Sequence, residues 1–368
     1  MSRRMTEAVT ADWHLCPGAW KKNPEVRGDS YYALGQITRF TIENRLNLMA
    51  GGDLFDQILP DSMSLHVAKT EIKRVLDNGL KVLFVQGQHE MADPPYLKVL
   101  DERTDHVHDD HFTLGGSEVA YALDYMTPSA FLEKMEACKN GPHADYVLFT
   151  HQVWKDFVVW RHNAPVFSDT PFATIITGDF HQHINKTLQR PGSLQQVISP
   201  GSTCMQALDE EPQKKFFVRY DDGSFESVPL KCRPFHHLDL LGPEALEYAI
   251  QNVAQYCHRP NDLPAEIQRP VVRVRFADNI PEAYERILAA FASVHLFAEP
   301  IKTEGEAVDK ARDEGTDHAV QTCLARLRPP DTLVYRDLAR VLGSADPGKE
   351  IEKVAKEFQL PEEVPGAS

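Results

Sequence analysis

A chain of 368 residues, 42% hydrophobic and 25% charged, has room for one large domain and one or two small ones, with the balance of an ordinary globular protein. Its 39 lysines and arginines face 54 acidic residues, a formal net charge of −15, so it lacks the basic excess with which a protein grips nucleic acid unaided. No apolar run reaches the roughly 18 residues of a membrane span, and six scattered cysteines without close pairing argue against a disulfide framework or a zinc knuckle.

In chain order, Glu7–Ala11 reads as a first strand that ends at ADWHL. A loop containing Pro and Gly follows from Cys16 to Gly28, and Asp29-Ser30 offers an N-cap to the periodic run Tyr31–Leu46. The apolar run Leu46–Ala50 delivers GGDLFDQ, and Asp61 or Ser62 starts a helix that reaches Leu76. KVLFV, Lys81–Val85, reads as a buried strand ending at GQHE. Strands at Tyr146–Phe149 and Ala173–Thr177 end at FTHQ and TGDFHQH. Such alternation predicts an α/β layer structure with the sheet inside and the motifs outside its strand ends.

Beyond these motifs, Lys214–Leu230 predicts a hairpin around Asp221-Asp222-Gly223. A helix over Pro243–Cys257 follows, then a strand with Val272, Val274 and Phe276 on one face and Arg273 and Arg275 on the other. A helix over Pro281–Phe291 and a strand beginning at Val294–Phe297 complete a small α+β unit. Lys302–His318 reads as a solvated connector. Val334, Leu338 and Val341 mark one amphipathic helix, and Ile351, Val354 and Phe358 another, with Gly343–Gly348 between them. MSRRMTEAVTADW lacks the apolar core of a secretory signal, which with the few thiols predicts a cytoplasmic location.

The five motifs supply Asp12, His14, Asp53, His89, His151, Asp179 and His181. Carboxylates and imidazoles hold hard and borderline cations side by side, so seven of them at strand ends point to metal-dependent hydrolysis of a phosphate ester. Alternation along a strand lets Asp12 and His14 point the same way. Two glycines before Asp53 allow a sharp turn, and one carboxylate there has two oxygens to share between two cations. Singly, each of these residues is more often a turn or a satisfied histidine; their order and placement carry the reading. His106, His108 and His111 form an HVHDDH cluster that reads as a solvated loop, and His236 and His237 as packing or surface residues. Arg273 and Arg275 are candidates for DNA contact or a solvent-facing stripe, and Lys21, Lys22 and Arg27 for phosphate contact.

The motifs resemble those of the calcineurin-like metallophosphoesterase superfamily: DxH, GDxxD, GNHD/E, H and GHxH. Within it they are most similar to the SbcD-type nuclease subunits of the SbcCD complex. In these a proline-glycine-serine segment, a Glu and a hairpin follow the last motif, as in ISPGSTCMQALDEEPQKKFFVRYDDG. The resemblance is close to about Leu230 and loose afterwards. It implies a two-layered β-sandwich flanked by helices over 1–232 and an α+β capping domain over 233–318. Helices over 319–368 would dock an SbcC-like SMC-type ATPase. It implies one metal on Asp12, His14, Asp53 and His181, a second on Asp53, Gln88, His151 and Asp179, and a transition-state or general-acid role for His89. The implied activity is that of a Mn²⁺-dependent homodimeric DNA nuclease from a bacterium or phage, working 3′→5′ on duplex ends and endonucleolytically on single strands. A small-molecule phosphodiesterase and a non-catalytic scaffold are the competing expectations.

Two positions depart from the family pattern, Gln88 where it has Asn and Asp179 where it has His. Both fall on the second metal. The added carboxylate favours a hard, oxygen-loving ion, Mn²⁺ or Mg²⁺. Another alignment makes His181-Gln182-His183 the HxH pair and leaves Asp179 outside the ligand set.

Overall fold

The computed structural model describes residues 6–301 except 19–24, 116–117, 140–145, 159–162, 191–192, 209, 211, 222, 278–279 and 281. Residues to Glu299 form one compact unit. The connector and helices expected from Lys302 onward lie outside the described residues, as do Lys21, Lys22 and Asp222.

The first stretch runs β1 (Glu7–Thr10), α1 (Asp29–Asn44), β2 (Asn47–Gly51), α2 (Ser62–Asp77), β3 (Val82–Val85), α3 (Tyr96–Leu100) and β4 (Asp105–His106). Next come β5 (Asp110–Leu114), β6 (Glu118–Leu123), α4 (Pro128–Cys138), β7 (Val147–His151), β8 (Thr174–Gly178), β9 (Ile184–Arg190) and β10 (Ser193–Ser199). The hairpin β11 (Phe216–Asp221) and β12 (Ser224–Pro229) follows as expected. Then come β13 (Phe235–Leu240), α5 (Pro243–Gln251), α6 (Val253–Tyr256), α7 (Ala265–Gln268), β14 (Val271–Phe276), α8 (Ala283–Ala290) and β15 (His295–Pro300).

The strands make two six-stranded sheets, ordered β12-β11-β1-β2-β3-β4 and β5-β6-β7-β8-β10-β9, and a three-stranded sheet β13-β14-β15. β1 to β4 run parallel, as do β6, β7, β8 and β10, with antiparallel strands added at the edges. Alternation along the strands divides the apolar side chains between two faces. Ala8, Leu48, Ala50, Val82 and Phe84 pack under α1 and α2. Val9, Met49 and Val85 face inward and meet Ala120, Ala122, Val147, Phe149 and Ile176 of the second sheet. That sheet's outer face, with Tyr121, Leu148 and Ile175, packs on Phe131 and Met135 of α4. Each fully buried side chain of this size contributes about 1.5–3 kcal/mol. The result is the helix-flanked, two-layered α/β sandwich that the motif pattern implies.

β13, β14 and β15 with α5 and α8 carry a separate core that includes Leu246, Val272, Val274, Ile287 and Phe291. The helix expected over Pro243–Cys257 breaks at Asn252, whose backbone leaves the helical region and whose side-chain amide donates to the Tyr248 carbonyl at 2.8 Å. A short polar side chain that bonds its own backbone competes with helix propagation there. At α1, Gly28 in the left-handed region is the N-cap, in place of Asp29-Ser30. Asp29 directs its carboxylate to Arg233, Nε to Oδ1 2.9 Å, and is unavailable for capping. Asp61 does cap α2, accepting from the amides of Met63 and Ser64.

Candidate metal centre

β1 and β2 end side by side, and their loops keep the parallel pairing for a few residues more. The amides of Asp12, His14 and Leu15 donate to the carbonyls of Gly52, Asp53 and Leu54, each at 3.0 Å. Asp12, His14, Asp53 and Asp179 all have positive φ, at 49°, 43°, 49° and 76°. A left-handed backbone is unfavourable for a residue with a Cβ, and four such residues in one place mark a site whose geometry the surrounding fold imposes. Gly52, also left-handed, has no room for a side chain, because a Cβ would meet the His151 ring at 2.5 Å. At Gly87 a Cβ would stand 2.1 Å from Asp53 Oδ1.

Asp53 lies at the centre. Its Oδ2 is 3.3 Å from His151 Nε2 and 3.8 Å from the Nε2 atoms of both His14 and His89, while Oδ1 accepts the His89 amide at 3.0 Å. His14 Nε2 and His181 Nε2 face each other at 3.2 Å. Three imidazoles turn their outer nitrogens to fixed oxygens: His151 Nδ1 to the Gly51 carbonyl at 2.7 Å, His89 Nδ1 to the Asp56 carbonyl at 3.0 Å, and His181 Nδ1 to Glu210 at 2.7 Å. A proton donated outward leaves the Nε2 lone pair facing inward, the tautomer that binds a cation. Donor atoms of Asp12, His14 and His181 lie within 4.8 Å of one another, as do those of Asp12, Asp53 and His151, and of His14, Asp53 and His89.

Burial opposes charge on Asp53, yet the imidazoles of His151, His14 and His89 hold its carboxyl below the usual range. Burial likewise opposes a charged His151, and the carboxylates of Asp53, Asp12 and Asp179 push it well up. Burial raises Asp12 despite its imidazole neighbours, and Glu90 is pushed up to about 8 by burial and then by Asp53. Three buried polar atoms here, Asp12 Oδ2, Gln88 Oε1 and His151 Nε2, have no hydrogen-bond partner, while His14 Nδ1 stands 3.5 Å from Asp56 Oδ1. Buried acceptors without donors are costly, and a concentration of carboxylate, amide and imidazole acceptors fits divalent cations.

The fold brings together Asp12, His14, Asp53, Gln88, His89, His151, Asp179 and His181, the predicted metal-site residues. The two departures from the family pattern touch each other: the Gln88 amide nitrogen donates to Asp179 Oδ1, and Gln88 Oε1 is buried without a hydrogen-bond partner. Asp179 Oδ1 is 3.9 Å from His151 Nε2, so it stands at the edge of the group. His183 spends one ring nitrogen on the Pro200 carbonyl at 3.2 Å and the other on Ser227 at 2.7 Å, and so is not among the converging donors.

Several expectations are corrected. The HVHDDH segment is not simply a solvated loop: His106 lies in β4 and meets Asp124 at 2.9 Å, and Asp124 Oδ1 accepts the Gln86 amide at 2.7 Å, which steadies the approach to GQHE. On the strand face with Arg273 and Arg275 the charges are paired, with Glu299 and Asp239, and Arg275 is solvent-facing as one of the two readings has it. Sequence reasoning also passed over Glu90, which accepts the Gly87 amide at 2.9 Å and the Phe55 amide at 3.3 Å and so ties two motifs together. Its place as the last letter of GQHE was the available signal.

No family model matches the chain. Over 240 aligned residues it is 21% identical to the DNA double-strand break repair protein Mre11 of Methanocaldococcus jannaschii, covering 58% of this chain and 63% of that one. The chain thus spans less than two thirds of its archaeal relative, and the likeness supports the superfamily reading of the five motifs. Among solved structures, a cold-active protein-tyrosine phosphatase of a psychrophilic Shewanella is 10% identical with a TM-score of 0.26, over 61% of this chain and 81% of that one. Another crystal structure is 8% identical with a TM-score of 0.35, over 62% of this chain and 99% of that one. Likenesses at these scores carry no argument about activity.

Proposed function

We propose that the chain is a two-metal phosphodiester hydrolase acting on DNA, the nuclease subunit of an SbcCD-like complex. The convergence of Asp12, His14, Asp53, His151 and His181 on one buried cluster with unpartnered acceptors carries this reading. Asp12, His14, Asp53 and His181 would hold one divalent ion, and Asp53, Gln88, His151 and Asp179 the other. The oxygen-rich second set favours Mn²⁺ or Mg²⁺. Such ions, when bound, lower the pKa of water and neutralise charge building on a phosphoryl group.

The protein's own part is to orient and to move a proton. Asp53, buried and surrounded by imidazoles, turns Oδ2 toward His14, His89 and His151 while Oδ1 accepts the His89 amide. His89 differs from its neighbours: its side chain is 42% exposed, whereas those of His14 and His151 are 4% and 0%. It is anchored through Nδ1–H to the Asp56 carbonyl, and with the ring doubly protonated its Nε2–H can be given to a leaving oxygen, a general-acid task suited to imidazole.

A net charge of −15 is a poor basis for gripping DNA alone. An SMC-type ATPase partner, docked by the helices expected over 319–368, would supply the grip, with 233–318 as the cap over 1–232. Homodimerisation, a cytoplasmic location, 3′→5′ action on duplex ends and endonucleolytic action on single strands belong to the same reading. The test is degradation of an end-labelled linear duplex with Mn²⁺, comparing wild type with His89→Asn. Label release by the wild type alone, with equal Mn²⁺ uptake by both proteins, is the expected outcome. Hydrolysis of a generic phosphodiester but no DNA, with or without an ATPase partner, would favour a small-molecule substrate. Inertness toward both would favour a scaffold.

A further inference from the structure

We propose that Glu210 is a positioning residue for His181, and that the three-stranded subdomain holds Glu210 in place through the carbonyl of Leu208; the inference rests on the metal reading above. Glu210 divides its carboxylate between two partners, Oε1 2.7 Å from His181 Nδ1 and Oε2 3.2 Å from the ammonium of Lys215. Lys215 is only 2% exposed, and it also donates to the Ser202 hydroxyl at 2.7 Å and the His181 carbonyl at 3.4 Å. A buried ammonium without acceptors is costly; here three are supplied, and one is the carboxylate that must stay beside the imidazole. Glu210 is thereby pinned from behind. Its bond to Nδ1 fixes the tautomer of His181 and turns Nε2 inward, toward Asp12 and His14.

The segment that delivers Glu210 has no helix or strand of its own across residues 201–208. Two residues before Glu210, the Leu208 carbonyl accepts from His237 Nε2 of β13 at 2.6 Å and from Arg273 Nη1 of β14 at 3.1 Å. Arg273 is in turn held by Glu299 of β15, Nε to Oε1 2.9 Å. All three strands of the subdomain therefore take part in the grip. Met205 adds an apolar anchor, packed with Val26 and Val271. Displacing the subdomain moves Leu208, and with it the oxygen that orients a cation ligand.

The experiment is Mn²⁺ titration of the full chain by calorimetry and electron paramagnetic resonance, with melting measured in chelator. Glu210→Ala should weaken one ion by ~10–100-fold and leave the other unchanged, the range seen when an outer partner of a ligating histidine is removed. Glu210→Gln keeps one acceptor oxygen, enough for the imidazole N–H or for the Lys215 ammonium but not for both, so it should lose less affinity than Glu210→Ala, with its fold checked by melting in chelator. The pair His237→Phe and Arg273→Met should weaken the same ion, and should add nothing in a Glu210→Ala background. Equal affinities in the wild type and both Glu210 variants would overturn the positioning role. Additive losses would overturn the link through Leu208. A wild type that takes up no Mn²⁺ would remove the metal reading itself, a result distinct from either.

Discussion

Two buried polar clusters in this molecule are built on opposite terms. At the junction between the sandwich and the small subdomain, the Arg233 guanidinium is spent completely. It meets both oxygens of Asp29 at 2.9 and 3.0 Å and donates to the carbonyls of Arg269, Arg27 and Glu266. At the strand ends, the Asp12–Asp53–His151 cluster keeps acceptors without donors, on backbone that is left-handed at four residues. A satisfied buried charge holds structure together. An unsatisfied one in a strained setting is a candidate for ligand binding.

The largest effect should come from the satisfied cluster. Arg233→Ala leaves the half-buried Asp29 unpaired, and chemical denaturation should record a loss of about 3 kcal/mol. Mn²⁺ uptake per folded molecule should not change; if it falls in step with stability, the two clusters are not separate in role. The unsatisfied cluster should respond to its ligand instead. Mn²⁺ at 100 times its dissociation constant should raise stability by about 2.7 kcal/mol over chelated protein, and Asp53→Asn should abolish that gain. A melting temperature indifferent to Mn²⁺ would break the comparison.

Glu7 is an intermediate case. It accepts the Gly115 amide at 3.0 Å, but burial pushes its carboxyl up to about 7 from an ordinary 4.5. A carboxyl raised in the folded state is bound to its proton more tightly there than in the unfolded chain. Its contribution to stability is therefore full below pH 4.5 and is lost as pH rises through about 7. Glu7→Gln should match the wild type near pH 4 and exceed it by up to ~3 kcal/mol at pH 8; parallel pH profiles for the two proteins would contradict this. The smallest effect is expected at Asp61, the N-cap of α2, where Ala should cost about 1 kcal/mol by thermal melting and leave metal uptake intact.

Strand ends were readable along the chain wherever a strand was apolar throughout, as at Lys81–Val85 and Tyr146–Phe149. β9 (INKTLQR) and β10 were not, because a half-exposed polar strand lacks that run. Helix limits were readable where a cap acts locally, as at Asp61. They were misread at Asp29, whose carboxylate answers to a residue 204 positions away.

By itself the sequence determined the type and order of the candidate ligating side chains, the buried strands that carry them and the turn residues that let them approach. These are local properties, set by side-chain chemistry and by apolar periodicity of two or 3.6 residues. Only the tertiary structure decided which oxygen steadies each imidazole, that Gln88 and Asp179 touch, and that Lys215 and Leu208 stand behind Glu210. Those pairings join residues tens to hundreds of positions apart, and no local rule of conformation or spacing specifies them. They exist because packing two sheets and a subdomain together leaves each buried polar group a small set of possible partners.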